Sequence, residues 1–126
     1  MDLDRLHYSQ THEWLDATGE IATVGITKFA VDQLTDLVFV ELPPVGKKLS
    51  AGGTFGIVES VKHVSDLYAP VGGEVVEINS AVVSDPAILS KDPYELGWLI
   101  KLRLEDRSQV GRLMSKGDYD AMCQAH

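Results

Sequence analysis

Apolar residues in this 126-residue chain fall mostly in short β-branched runs or at alternating positions, punctuated by Gly, Pro and Asp. Ile21-Ala22-Thr23-Val24-Gly25-Ile26-Thr27 follows a turn centred on Gly19 and predicts a strand. Leu37-Val38-Phe39-Val40-Glu41-Leu42 predicts another, stopped by Pro43-Pro44, which lack amide donors. Phe55 to Ser60 and Val64 to Ala69 form a pair of strands on either side of a short polar tip. Gly73 to Asn79 alternates in part, apolar at Val76 and Ile78 against acidic Glu77, and Gly97 to Leu104 alternates over its second half. Helical spacing occurs twice. Thr27 is placed to cap a short helix through Leu34, with Phe29 or Ala30, Val31 and Leu34 on one side. After Asp106, the positions Val110, Leu113 and Met114, then Tyr119, Met122 and Cys123, predict two short amphipathic helices broken near Gly117. Residues 80–92 carry two Pro-linked turns and read as an ordered loop or a short helix.

A faint internal echo accompanies this pattern. Asp36-Leu37 leads to Pro44-Val45-Gly46, and Asp66-Leu67 leads to Pro70-Val71-Gly72; both continue into a further strand. The predicted fold class is therefore mainly β, a sandwich or flattened barrel of short strands with short helices and a helical C-terminal tail. The length predicts one domain over 1–126, with a core over about 7–104 and a tail over about 106–124. A hydrophobic share of 44% and a net charge of -8 describe a soluble chain with little general affinity for nucleic acid or anionic membrane. Protein partners are the better expectation. The single cysteine, Cys123, allows no internal disulfide. The first twenty residues contain Asp2, Asp4, Glu13 and Asp16 and no long apolar stretch, so neither a secretory signal nor an Arg-rich transit peptide is predicted, and the expected location is the cytoplasm, bacterial by preference, or an organelle as the mature form. The histidines His7, His12, His63 and His126 lack metal-ligand spacing, and no metal site is expected. No catalytic residue is predicted.

The chemistry concentrates at Glu59-Ser60-Val61-Lys62-His63. A surface lysine usually does nothing beyond solvation. Here, however, Val61-Lys62 occupies the centre of a tight turn, where Gly, Asn, Asp and Pro are favoured and a β-branched residue is a poor choice. Such a local rule violation points to function. An amine on an exposed hairpin lacks the desolvation that would make it a nucleophile. It is well placed to be acylated by another protein, which would turn the tip into a tethered arm of high effective concentration.

Glu59-Ser60-Val61-Lys62, Ser65-Asp66-Leu67-Tyr68-Ala69-Pro70 and Gly73-Glu74-Val75-Val76-Glu77-Ile78-Asn79 together resemble the lipoyl-attachment region of the glycine cleavage H-protein family. Thr11-His12-Glu13-Trp14, Val24-Gly25-Ile26-Thr27, Val38-Phe39-Val40-Glu41-Leu42-Pro43, Asp92-Pro93-Tyr94 and Gly97-Trp98-Leu99 follow the same family in the same order. The resemblance implies a barrel-sandwich hybrid of two antiparallel sheets, of the lipoyl/biotinyl-like kind, with lipoate in amide linkage to Lys62. It implies a non-catalytic carrier whose arm takes an aminomethyl group from a pyridoxal-phosphate glycine decarboxylase to an aminomethyltransferase and is reoxidised by dihydrolipoamide dehydrogenase; docking briefly at several active sites, such a carrier is expected to be a monomer. A lipoate ligase or octanoyl/lipoyl transferase would attach the group. The chain departs from the family at His63 and Val64, where a small residue is usual after the lysine. It also departs at Thr35, where Gly is usual, at Ser90 in place of Asn, and at Phe29 in place of Tyr or His. Two alternatives stay open: an H-like lipoate-binding protein serving a heterodisulfide-reductase-like sulfur oxidation system, and an unmodified β-rich interaction domain.

The resemblance also places His12 and Glu13 beside the cleft that shelters the loaded arm, where a carboxylate would hold a protonated aminomethyl group. The plainer expectation is a strand edge with Trp14 in the core. Glu59, Ser60, Val61, His63 and Asp66 are candidates for recognition of the tip. Glu59 and Asp66 serve equally as an acidic docking rim or as cross-strand charge balance. His63 reads as a solvated turn residue, a contact for the attaching enzyme, or a proton-handling group near the arm.

Overall fold

The computed structural model describes residues 2–125; His126 lies outside the described residues. Among the described residues nine strands form two antiparallel sheets. In chain order they are β1 (His7–Tyr8), β2 (Glu13–Asp16), β3 (Ile21–Ile26), β4 (Leu37–Glu41), β5 (Lys48–Leu49), β6 (Thr54–Ser60), β7 (Val64–Tyr68), β8 (Gly73–Ile78) and β9 (Ile100–Leu104). The larger sheet has the order β1-β2-β3-β9-β8-β5, and the smaller has β4-β6-β7. Four α-helices decorate them: α1 (Lys28–Leu34), α2 (Ser80–Ser84), α3 (Ile88–Lys91) and α4 (Lys116–Gln124). The mainly β class, the two antiparallel sheets and the strand pair around the lysine tip are as the sequence predicts.

The inner faces of the sheets share one core. Val40, Val58 and Leu67 of the small sheet are buried with Leu15, Val24, Ile26, Val75, Ile100 and Leu102 of the large one. Each such side chain contributes roughly 1.5–3 kcal/mol relative to exposure. A second cluster, Leu6, Tyr8, Trp14 and Tyr119, ties the C-terminal helix to the first hairpin. Trp14 pairs with Gly25 across β2 and β3, and a Cβ on Gly25 would lie 2.5 Å from the indole ring, so glycine is what lets the ring lie flat on the sheet. The indole N–H is shared by the carbonyls of Ile26 and Pro93, each at 3.1 Å.

The Pro-Val-Gly echo has a structural counterpart. The segment after β4 leads into β5 and the segment after β7 leads into β8, and β5 and β8 then pair antiparallel through Lys48–Glu74 and Leu49–Gly73. Strands β4 and β7 flank β6 on opposite sides. The two echoed units thus run from the small sheet to the large one and meet there.

Three expectations need adjustment. Residues 80–92 form two short helices, α2 and α3, rather than one loop or helix. The last strand begins at Ile100 rather than Gly97, because the Leu96 and Trp98 carbonyls are bound by the Asn79 side-chain amide at 2.9 and 2.7 Å. The tail is not broken at Gly117. It forms a 3-10 segment over Arg107–Arg112 and then α4, with Gly117 inside the helix. The break falls earlier because Met114 exchanges backbone hydrogen bonds with Tyr8, after which Ser115 caps the new helix by accepting from the Asp118 amide at 3.2 Å.

Thr27 caps α1 as expected, its hydroxyl accepting from the Ala30 amide. The other end of α1 is strained. Thr35 sits at φ 60°, ψ -143°, a region that L side chains rarely occupy. Thr35→Gly is expected to stabilise the protein by about 1 kcal/mol, the relieved strain exceeding glycine's extra unfolded-state entropy. Thermal unfolding should show this as a rise of roughly 4 °C in Tm.

Candidate functional site

The β6–β7 hairpin carries the candidate lysine. Its strands pair from Thr54–Tyr68 to Glu59–Val64, leaving Ser60, Val61, Lys62 and His63 as the tip. Among the described non-glycine residues only His12 and Thr35 have positive φ, so the turn around Val61-Lys62 uses ordinary backbone. This removes the objection to a β-branched residue there. The turn is closed instead by a side chain: the Ser60 hydroxyl accepts from the His63 amide at 3.0 Å and the Lys62 amide at 3.3 Å. The Ser60 amide donates to the His63 carbonyl at 2.8 Å, and the Val61 amide donates to the Asp36 carbonyl at 3.0 Å. The tip is therefore bonded to the beginning of β4 as well as to itself.

Lys62 itself is exposed, and its ammonium has no ion-pair or hydrogen-bond partner among the described residues. His63 is also exposed, and its contribution to the turn is its backbone. Val61 is 70% exposed, whereas Ser60 is buried. Glu59 is half-buried and Asp66 exposed, both on the outer face of the small sheet.

Glu13 and His12 are neighbours that diverge. Glu13 is only 1% exposed. Its Oε1 accepts from the Ser9 hydroxyl at 2.7 Å and from the Thr11 hydroxyl, and its Oε2 accepts from the Tyr68 amide at 3.2 Å. The carboxylate thus stitches the first hairpin of the large sheet to β7 of the small one. Burial raises its pKa above the ordinary 4.5, against the lowering effect of the Thr11, Ser9 and Tyr68 hydrogen bonds.

His12, with φ 74° in the β1–β2 turn, faces the other way. Its Nδ1 lies 2.7 Å from the Tyr119 hydroxyl, and its ring centre lies 4.9 Å from that of Phe29, the planes tilted by 31°. The same hydroxyl lies 2.7 Å from Thr27 Oγ1, so one tyrosine of α4 joins the first hairpin to the cap of α1. Beside this junction is a cleft of about 480 Å³ lined by Tyr8, Phe29, Tyr94, Tyr119 and Cys123 among others. Among the described residues no three His, Cys, Asp or Glu side chains cluster as metal ligands. No helix among them is long and apolar enough to cross a membrane.

Two sheets are packed around one core, and a lysine is displayed on a hairpin fixed at its base. The sequence model of the glycine cleavage H-protein family matches residues 6–126. The glycine cleavage system H protein of Carboxydothermus hydrogenoformans is 48% identical over 119 residues, covering 94% of this chain and 92% of its own. That of Parasynechococcus marenigrum is 52% identical over 118 residues with the same coverages. The crystal structure of a glycine cleavage system H protein from Mycobacterium marinum superposes with a TM-score of 0.86 at 44% identity, covering 96% of this chain and 97% of that one. The chain belongs to the glycine cleavage H-protein family.

Sequence reasoning missed the Tyr119 junction, since no local pattern links Tyr119 to His12 or Thr27. It named Ser60 for recognition but not for the turn it closes. Ser60→Ala is expected to cost about 1–2 kcal/mol by leaving two tip amides without their acceptor. Hydrogen exchange should accelerate at the Lys62 and His63 amides and stay unchanged at Val61, which keeps Asp36.

Glu13 gives a second test. A carboxyl whose folded pKa is raised opposes folding once it is ionised; the opposition is complete above the folded pKa and vanishes below the unfolded value near 4.5. The stability of the wild type relative to Glu13→Gln should therefore rise as pH falls from neutral to below 4.5, as measured by denaturant unfolding across that range.

Proposed function

We propose that this chain is the lipoyl carrier of a glycine cleavage system, with lipoate in amide linkage on Lys62. The observation that carries the proposal is the pairing of a fixed backbone with a free amine. Ser60 and Asp36 hold the turn, while the Lys62 ammonium is exposed with no partner to displace. An acyl group on that nitrogen fits without disturbing any bond in the fold. Lipoate, once attached, supplies a disulfide–dithiol couple that accepts and releases an aminomethyl unit.

The partners in this role are a pyridoxal-phosphate glycine decarboxylase, an aminomethyltransferase, dihydrolipoamide dehydrogenase, and a lipoate ligase or octanoyl/lipoyl transferase, all in the cytoplasm. Relatives matching over nine-tenths of the chain are named for glycine cleavage, which favours this pathway over sulfur oxidation.

Glu13 has a place in the same proposal. A carboxylate offers about four acceptor positions, and three are used here by Ser9, Thr11 and Tyr68. A protonated aminomethyl group would have to reach a side chain that is 1% exposed, and a cation beside this buried carboxylate would offset the desolvation that raises its pKa. Tyr68 stands four residues, roughly 13 Å of strand, below Val64 at the tip, which is the span an acylated lysine must fold back across. His12 faces α4 instead and is assigned to holding that helix.

Protein isolated from its own host should carry the mass of a lipoyl or octanoyl group, located on Lys62 by peptide mapping. Lys62→Arg should unfold like the wild type and remain unmodified. The lipoylated wild type, mixed with a glycine decarboxylase, should support exchange of bicarbonate with the glycine carboxyl carbon, and Lys62→Arg should support none. An unmodified wild type from a host with active lipoylation enzymes would overturn the proposal.

A further inference from the structure

The strand register places a patterned surface directly beneath Lys62. On the outer face of the small sheet, Phe39, Glu59 and Val64 form one cross-strand row, and Glu41, Ile57 and Asp66 form the next. Apolar and acidic side chains thus alternate both across and along the strands. Phe39 is 42% exposed and Val64 65%, and Val38 at 55% and Val61 at 70% extend the apolar component to the edge and tip. Glu41, Glu59 and Asp66, with Asp36 at the edge, form no ion pair among the described residues. Exposed apolar side chains interleaved with unneutralised carboxylates suit a protein face that is basic with apolar contacts between its cations.

We infer that this face is read by the enzyme that acylates Lys62, and that the edge strand β4, through Phe39 and Glu41, forms part of the recognised surface. The inference rests on the lipoyl-carrier proposal and adds β4 to the tip itself. The geometry of the reaction selects this partner. Acylation forms a bond between Nζ and the acyl carbon of an activated donor, an acyl adenylate or thioester. The bond from that carbon to the leaving group breaks with its electron pair, and a proton leaves the nitrogen. Nζ itself must therefore enter the enzyme's active site, and the sheet face that carries the tip is brought close to the enzyme. A partner that meets the far end of an acylated arm can stand off by the arm's whole length and needs less of this face.

The test measures acylation of Lys62 by the host's own lipoate ligase or octanoyltransferase, with Phe39→Ser, Glu41→Gln and, as a control, Leu96→Ser. Leu96 is 64% exposed but lies outside the small sheet. Phe39→Ser should lower kcat/KM about tenfold or more through KM, and Leu96→Ser should leave it unchanged. Wild-type acylation should slow as salt is added, and Glu41→Gln should show a weaker salt dependence. Glu41→Gln keeps shape and hydrogen bonding, so it reports even if Phe39→Ser unfolds. Acylation of Phe39→Ser and Glu41→Gln at the wild-type rate and salt dependence would overturn the inference while leaving the carrier proposal intact. So would normal acylation combined with a loss confined to the glycine–bicarbonate exchange, which would assign the face to the decarboxylase. Failure of the wild type itself to be acylated would instead count against the carrier proposal.

Discussion

A two-stranded hairpin is marginally stable by itself in water, and three short strands become a rigid unit only when one face is buried. The hairpin bearing Lys62 meets this condition because β4 completes the sheet and Val40, Val58 and Leu67 are packed against the large sheet. Everything at the tip depends on that burial. The Ser60 hydroxyl can orient two amides because Ser60 is held on the inner face, and the Asp36 carbonyl is available to Val61 because Leu37 is buried next to it. The tip backbone is thus hydrogen-bonded in place while the Lys62 side chain stands exposed beside it.

Longer-range order is supplied by a few polar side chains with partners distant in the sequence. Glu13 bonds to Tyr68, Asn79 to Leu96 and Trp98, and Tyr119 to His12 and Thr27. Each joins two segments that no strand ladder connects. Among the described residues no buried side-chain nitrogen or oxygen lacks a partner. Satisfaction of this kind is what makes buried polar groups tolerable, since an orphaned one would cost about 1–3 kcal/mol.

The long strands were legible in the sequence because Val, Ile and Thr runs bounded by Gly and Pro carry a local signal, and Thr27 announced its cap in the same way. The two-residue strands β1 and β5 carry none; they exist because their neighbours pair with them. Gly117 misled because a glycine near a helix start is cheap, while the true interruption was set by Tyr8, over a hundred residues away. At the site, family resemblance is what marked Lys62; turn chemistry did not, because the turn around Val61-Lys62 uses ordinary backbone. The row of Phe39, Glu59 and Val64 could not be read in advance. Its register passes through a bulge between Leu37 and Phe39, and a bulge shifts every cross-strand neighbour without leaving a mark in the hydrophobic pattern.

That bulge has another consequence. Strand β4 is the outer edge of the small sheet and carries Val38 and Phe39 in the open, which on a flat strand would make a template for pairing with other chains. The extra residue at Val38 disrupts the regular ladder of donors and acceptors along that edge, and Pro43-Pro44 ends it after five residues. An irregular edge cannot be extended by a neighbour's backbone, so its apolar side chains can stay exposed without nucleating a fibril.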